Sequence, residues 1–171
     1  MKLIPSENIL GADNQQERLK TRFWIVGFVD GEGSFLISIF KNKTTRLGWQ
    51  VFPEFVITQG AKSLKVLEAI QKFFGCGKIY LNRRYDNHHE HIYRYCVRSI
   101  KDLREKIVPF FNQNRLQTMK QNDFQKFKKV LNLMKNNTHL NEKGLKQIKQ
   151  ISLTMNRKGV VASLKSSETI R

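Results

Sequence analysis

The sequence predicts an α+β fold, a four-stranded antiparallel sheet in an αββαββ order with helices packed on one face, presenting a saddle-shaped surface. Three observations carry that expectation. Strand-like segments come in two pairs, residues 34–58 and 78–98, each folded about a polar turn. Each pair is preceded by apolar residues at helical spacing, and from Ile100 onward the chain reads as helices. A sheet built from two hairpins and covered by helices on one side leaves its other side open.

Residues 1–16 form a polar lead containing Pro5 and Gly11. The stretch Met1 to Lys20 does not have the pattern of a secretory signal, and Glu7, Asp13 and Glu17 are the wrong charge for a transit peptide. Helix one is expected from about Glu17 to Asp30, where Asp30-Gly31-Glu32-Gly33 breaks it. Ser34 to Asn42 and Trp49 to Thr58 alternate as strands about the turn Lys43-Thr44-Thr45-Arg46-Leu47-Gly48. Ser63 is a candidate N-cap for a helix carrying Leu64, Leu67, Ile70, Phe73 and Phe74 on one face, ended by Gly75-Cys76-Gly77. The second hairpin pairs Lys78 to Arg83 with His91 to Arg98. Ser99 then caps a helix from Ile100 to Phe111, with Pro109 near its end. Two further helices span about Arg115 to Asn136 and, capped by Asn141, Asn141 to Met155. The domain is thus expected to occupy residues 17–155, with a loosely ordered tail over 156–171.

The chain has 171 residues, 31 Lys plus Arg against 14 Asp plus Glu, for a net charge of +17, and from Asn112 onward 13 basic face 3 acidic residues. Such a field favours a polyanion partner. Nucleic acid is preferred to membrane, because no apolar run reaches spanning length and the basic residues do not line one amphipathic face. Cys76 and Cys96 have no zinc-type spacing, and no disulfide is expected in a basic, nucleic-acid-directed protein. His88, His89 and His91 beside Glu90 sit in a turn with the wrong spacing for one helix face, and are not expected to bind metal.

Phe23-Trp24-Ile25-Val26-Gly27-Phe28-Val29-Asp30-Gly31-Glu32-Gly33 is the most unusual segment. Gly27 and Gly31, four residues apart, strip side chains from one helix face and allow another backbone to come close. Carboxylates at a helix C-terminus sit among unpaired carbonyls, an arrangement that suits a hard cation such as Mg²⁺ or Ca²⁺. Ile25 to Gly33 resembles the motif of the LAGLIDADG homing endonucleases, in a form typical of organellar members, with Asp30 and Glu32 as its acidic pair. The resemblance covers roughly Arg22 to Asn156 and implies the same fold and a site-specific DNA endonuclease encoded in an intron of a chloroplast or mitochondrial genome. It implies Mg²⁺ as cofactor, with Mn²⁺ or Ca²⁺ able to substitute for binding. Glu32 would hold the metal with the Gly31 carbonyl, and Asp30 would cap a facing helix first and bind metal second. Gln59 would organise solvent. Lys120, in Thr118-Met119-Lys120-Gln121-Asn122-Asp123-Phe124, would point at the reacting phosphate. Ser63, with Lys62 adjacent, stands where some relatives have a basic residue.

The acidic motif occurs once, and cutting a duplex takes two active sites. A homodimer on a roughly palindromic site is therefore expected, joined through Trp24, Gly27, Phe28 and Gly31. The open sheet face would offer Ser34, Ser38, Phe40, Asn42, Gln50, Glu54, Thr58, Lys78, Tyr80, Asn82, Arg94 and Arg98 to double-stranded DNA. A strand of about ten residues spans about 33 Å, or about ten base pairs of major groove. Lys120, Lys126 and Lys129 would contact phosphates. Two other readings remain open: an intron RNA maturase of the same fold, and a basic structural RNA-binding protein, which would need neither the glycine face nor the acidic pair.

Overall fold

A computed structural model describes residues 9–83 and 91–156, with side chains from residue 15 onward. The hairpin turn holding His88, His89 and Glu90 and the tail from residue 157 lie outside the described residues. The elements are α1 (Ile9–Glu32), β1 (Gly33–Lys41), β2 (Trp49–Gly60), a 3-10 turn (Ala61–Ser63), α2 (Leu64–Phe74), β3 (Lys78–Asn82) and β4 (Ile92–Val97). They continue with α3 (Ile100–Asp102), a π-helical segment (Leu103–Ile107), α4 (Val108–Gln113), α5 (Lys120–Lys135), a 3-10 turn (Thr138–Leu140) and α6 (Glu142–Leu153). The strands form one four-stranded antiparallel sheet in the order β1-β2-β4-β3.

The register places Phe35 opposite Phe55, Phe55 opposite Val97, and Ile57 and Ile79 opposite Tyr95. These side chains share one face, and all but Ile79 are fully buried. The helices cover that face with Ile25 and Val29 of α1, Leu67 and Ile70 of α2, Phe111 of α4, and Phe124 and Phe127 of α5. Phe35 sits at the centre, its ring 5.1–5.5 Å from those of Phe55, Phe111, Phe124 and Phe127. Val51, Val130 and Ile148 form a smaller cluster beneath the far end of the first hairpin.

Several boundaries differ from those expected. Helix α1 begins at Ile9, inside the segment read as a polar lead, and continues through Gly31 to Glu32. Ser63 makes no capping hydrogen bond, because the 3-10 turn already feeds the chain into α2. Ser99 and Asn141 do cap, accepting the backbone N–H of Asp102 at 3.2 Å and of Gly144 at 2.9 Å. Pro109 lies inside the helical run from Ile100 to Gln113, just after the π segment. Proline has no N–H to donate and crowds the preceding turn, and a widened turn accommodates it. After α2, Gly77 has φ +78°, and a Cβ there would lie 2.6 Å from the Tyr95 ring, so only glycine fits. Asn156, read as the start of the tail, is fixed: its backbone N–H reaches Asp123 and its amide donates to the Phe35 carbonyl at 2.9 Å. Cys76 and Cys96 are both free thiols.

Phe35→Ala should remove about 3–5 kcal/mol of unfolding free energy, since four neighbouring rings cannot all close the space. Urea denaturation checks this, with a lowered midpoint and an unchanged slope expected.

Candidate active site

Helix α1, strand β1 and the entry to α5 meet where α1 ends. Asp30 is half-buried there and uses both oxygens. Oδ2 accepts the Gln117 backbone N–H at 2.6 Å, while Oδ1 accepts the Thr118 backbone N–H at 3.2 Å and the Thr118 hydroxyl at 2.7 Å. The Thr118 hydroxyl in turn accepts the Lys120 backbone N–H at 3.2 Å. Asp30 thus places a negative charge at the positive end of α5. Lys120 reaches back the other way. Its Nζ donates to the Val29 carbonyl at 2.8 Å and the Gly31 carbonyl at 3.2 Å, placing a positive charge at the negative end of α1. This cation lets the helix run on past the expected break at Asp30. Burial holds the Lys120 ammonium below the usual lysine range, and the charges of Asp30, Glu32 and Asp123 oppose that shift.

Glu32 is exposed and makes no hydrogen bond or ion pair among the described residues. Gln59 lies at the same end of the sheet, two residues beyond Ile57, which pairs with Gly33. Lys62 and Ser63 follow in the 3-10 turn. Asp30, Gly31, Lys120, Asn122 and Asp123 line a cleft of about 720 Å³ beside this junction. Asp30 takes the capping place expected of it, with both oxygens engaged at the α1–α5 junction. No group of three or more His, Cys, Asp or Glu among the described residues is arranged to hold an ion. At this junction the Glu32 carboxylate is left without a partner among the described residues, while the Gly31 carbonyl accepts the Lys120 ammonium.

Among the described residues nothing packs against the outer face of α1. A Cβ added at Gly27 or Gly31 would meet nothing within 4 Å. Leu19, Phe23, Gly27 and Gly31 fall in one row four residues apart, and Phe23 is 70% exposed. Trp24, also exposed, stacks on Phe28 at 5.3 Å. Phe23 extends the row of Gly27 and Gly31 by the same four-residue spacing and is not among the residues expected from sequence to join two chains.

On the open face of the sheet, Ser38, Phe40, Lys78, Tyr80, Asn82 and Arg98 are exposed, and Ser34, Thr58 and Arg94 are half-buried. Asn42 and Gln50 bond to each other at 2.6 Å, and Asn42 also accepts from Thr44 to fix the hairpin turn. Glu54 departs from the expected base-reading role: it is 7% exposed and paired with Arg94 and Arg98. Lys126 and Lys129 lie on α5, in the layer behind the sheet, and Lys126 donates to the Thr154 carbonyl at 2.7 Å. No helix among the described residues is long and apolar enough to cross a membrane.

Residues 25–131 match the family model described as LAGLIDADG endonuclease. The chain is 37% identical to probable intron-encoded endonuclease 3 of Neurospora crassa over 86% of its own length and 27% of that protein. It thus spans about a quarter of the length of that curated relative. Among solved structures it is similar to the homing endonuclease I-TnaI, at 37% identity and a TM-score of 0.73, covering 85% of this chain and 96% of that one. It also matches I-SmaMI bound to an uncleaved DNA target in the presence of calcium ions, at 36% identity and a TM-score of 0.72, covering 80% of this chain and 45% of that one.

Asp30→Asn should cost about 1–3 kcal/mol of stability, because the amide replaces an acceptor with an N–H group facing the backbone N–H of Gln117 or Thr118. Thermal unfolding near neutral pH measures the loss.

Proposed function

We propose that this chain, which belongs to the LAGLIDADG endonuclease family, is a site-specific endonuclease that cuts both strands of a long, roughly palindromic DNA site as a homodimer. The observation that carries this reading is the free Glu32 carboxylate at the end of a helix whose outer row is glycine and exposed aromatic residues. Pairing α1 with α1 of a second chain about a two-fold axis covers Phe23 and Trp24 and closes the open glycine row. The same pairing brings two copies of Glu32 into one region, where their mutual repulsion favours bound cations. The match to 45% of the DNA-bound I-SmaMI chain supports two copies of this chain per duplex.

Each half-site would hold Mg²⁺ through Glu32 and through the Gly31 carbonyl, whose other lone pair accepts Lys120, with remaining ligands from water, phosphate and the second chain. The ion, when bound, supplies an activated water and neutralises charge on the phosphate. The chain's own residues position that chemistry. Asp30 fixes the height of α1 against α5, and Lys120 holds a positive charge beside Gly31, within reach of a phosphate at the sheet end. Gln59 can orient solvent there. The open sheet face lies along the major groove, with Ser38, Lys78, Tyr80, Asn82 and Arg98 outermost. An organellar intron is the proposed genetic setting, supported by the intron-encoded Neurospora relative.

A second reading, RNA binding in the service of splicing, draws on the exposed Lys129, Lys143, Lys146 and Lys149 behind the sheet. Cleavage is favoured because Glu32 stands with Gln59 and the Lys120 ammonium at one end of the sheet.

Glu32→Gln should leave DNA affinity near that of the native protein while lowering Mg²⁺-dependent double-strand cleavage about a hundredfold or more. Parallel binding and cleavage assays on one target duplex separate the two effects. Gly27→Leu should give a folded monomer, since the site is open in the single chain and leucine is the better helix former by about 0.5–1 kcal/mol. Sedimentation velocity should show the halved mass with an unchanged circular dichroism spectrum, and linear products should disappear from cleavage of supercoiled DNA.

A further inference from the structure

Glu54 is the buried charged residue of the described part of the chain, and it lies in the middle of the face that faces the solvent. A carboxylate removed from water is costly unless paired and hydrogen-bonded. Here two guanidinium groups supply the pairing. Arg98 donates from Nε to Oε1, and Arg94 donates from Nη2 to Oε2 at 3.4 Å. The Arg98 guanidinium also lies 4.9 Å from the Tyr80 ring centre and 5.7 Å from that of Phe52. Beneath this group Cys96 is buried, its thiol pushed up to about 11 chiefly by loss of solvent. Three strands of the face are thereby tied together by Arg98, the residue that leaves β4: β2 through Phe52 and Glu54, β3 through Tyr80, and β4 through Arg94 on the same carboxylate.

Arg98 spends its Nε on Glu54 and keeps both Nη groups unbonded among the described residues. An arginine side chain normally loses several rotatable bonds of freedom on binding, and its planar fork must be oriented at the same time. Glu54 and the two rings remove most of that cost before any ligand arrives. The free pair of Nη groups then matches the O6 and N7 acceptors of guanine in the major groove. We propose that Glu54 is a positioning residue for base recognition: without touching DNA, it fixes Arg98 to select guanine at one position of each half-site and couples that choice to the neighbouring contact of Arg94. This inference rests on the sheet being the DNA-reading surface.

The test is selection of bound sequences from a pool of randomised duplexes, using the homodimer in Ca²⁺ and comparing native protein, Glu54→Gln, Arg98→Lys, Arg98→Ala and the Glu54→Gln/Arg98→Ala pair. Native protein should prefer guanine at one position of each half-site by about tenfold or more. Arg98→Ala should abolish that preference, and Arg98→Lys should do so while leaving the salt dependence of binding unchanged. Glu54→Gln should weaken the preference at that position and at an adjacent one, with less than about threefold change in affinity for duplexes lacking the guanine. In the Arg98→Ala background it should change the first position no further. The proposal is overturned if Glu54→Gln lowers affinity equally for all sequences with an unchanged profile, or if Arg98→Lys keeps the guanine preference. The second outcome is independent of whether the buried substitution is tolerated, which thermal unfolding reports. If the native protein selects no sequence at all, the failure lies in the sheet as reading surface, and the role of Glu54 falls with it.

Discussion

Two helices in this protein are joined by an exchange of charge at their ends. Asp30, from the last turn of α1, accepts the N–H groups at the entry to α5, and Lys120, from the first turn of α5, donates to the last carbonyls of α1. Each helix terminus leaves backbone groups unsatisfied, and each carries a partial charge that the other supplies the counter-charge for. The junction sets where α1 stops, and therefore where Glu32 stands and where β1 begins. It also explains how a helix can carry glycines on its outer row without fraying. The outer row is left free for another partner because the inner face and the end are already secured by Ile25, Val29 and the α5 contacts.

The fold was legible in the sequence where period and turn chemistry agree. The alternation of Phe35, Ile37 and Ile39 against Leu36, Ser38 and Phe40 fixed which face of β1 is buried, and the hairpin order required an antiparallel sheet. Boundaries were less legible. The first turns of α1 carry Gly11, Asp13 and Asn14 and show no apolar helical period, and the persistence of helix through Gly31 depends on Lys120, which is 89 residues away. The site was legible as a motif but not as an arrangement. The motif resemblance assigned Asp30 to a helix cap, but the groups it caps, Gln117 and Thr118, lie 87 and 88 residues away and only the fold identifies them. Glu54 was read as open because its parity in β2 puts it on the outer face. Parity assigns a face and says nothing of what lies across it, and two arginines with Tyr80 and Phe52 cover it.

The distribution of charge separates affinity from selectivity. The net charge of +17 acts on any polyanion. Much of it resides on helices behind the sheet, while the centre of the open face combines Arg94 and Arg98 with a carboxylate that offsets part of their charge. A surface of this kind contributes less to general attraction and more to the orientation of individual donors. General attraction comes from the field of the whole molecule and from the outlying lysines such as Lys78.

The central claim is that one chain is half of a cutting machine, completed across the glycine row of α1. Native mass spectrometry of the complex with a duplex that the protein cuts measures this most directly. The account predicts two chains on each duplex, with both strands cut only in that assembly. A stable complex of one chain per duplex that still cuts both strands would contradict it.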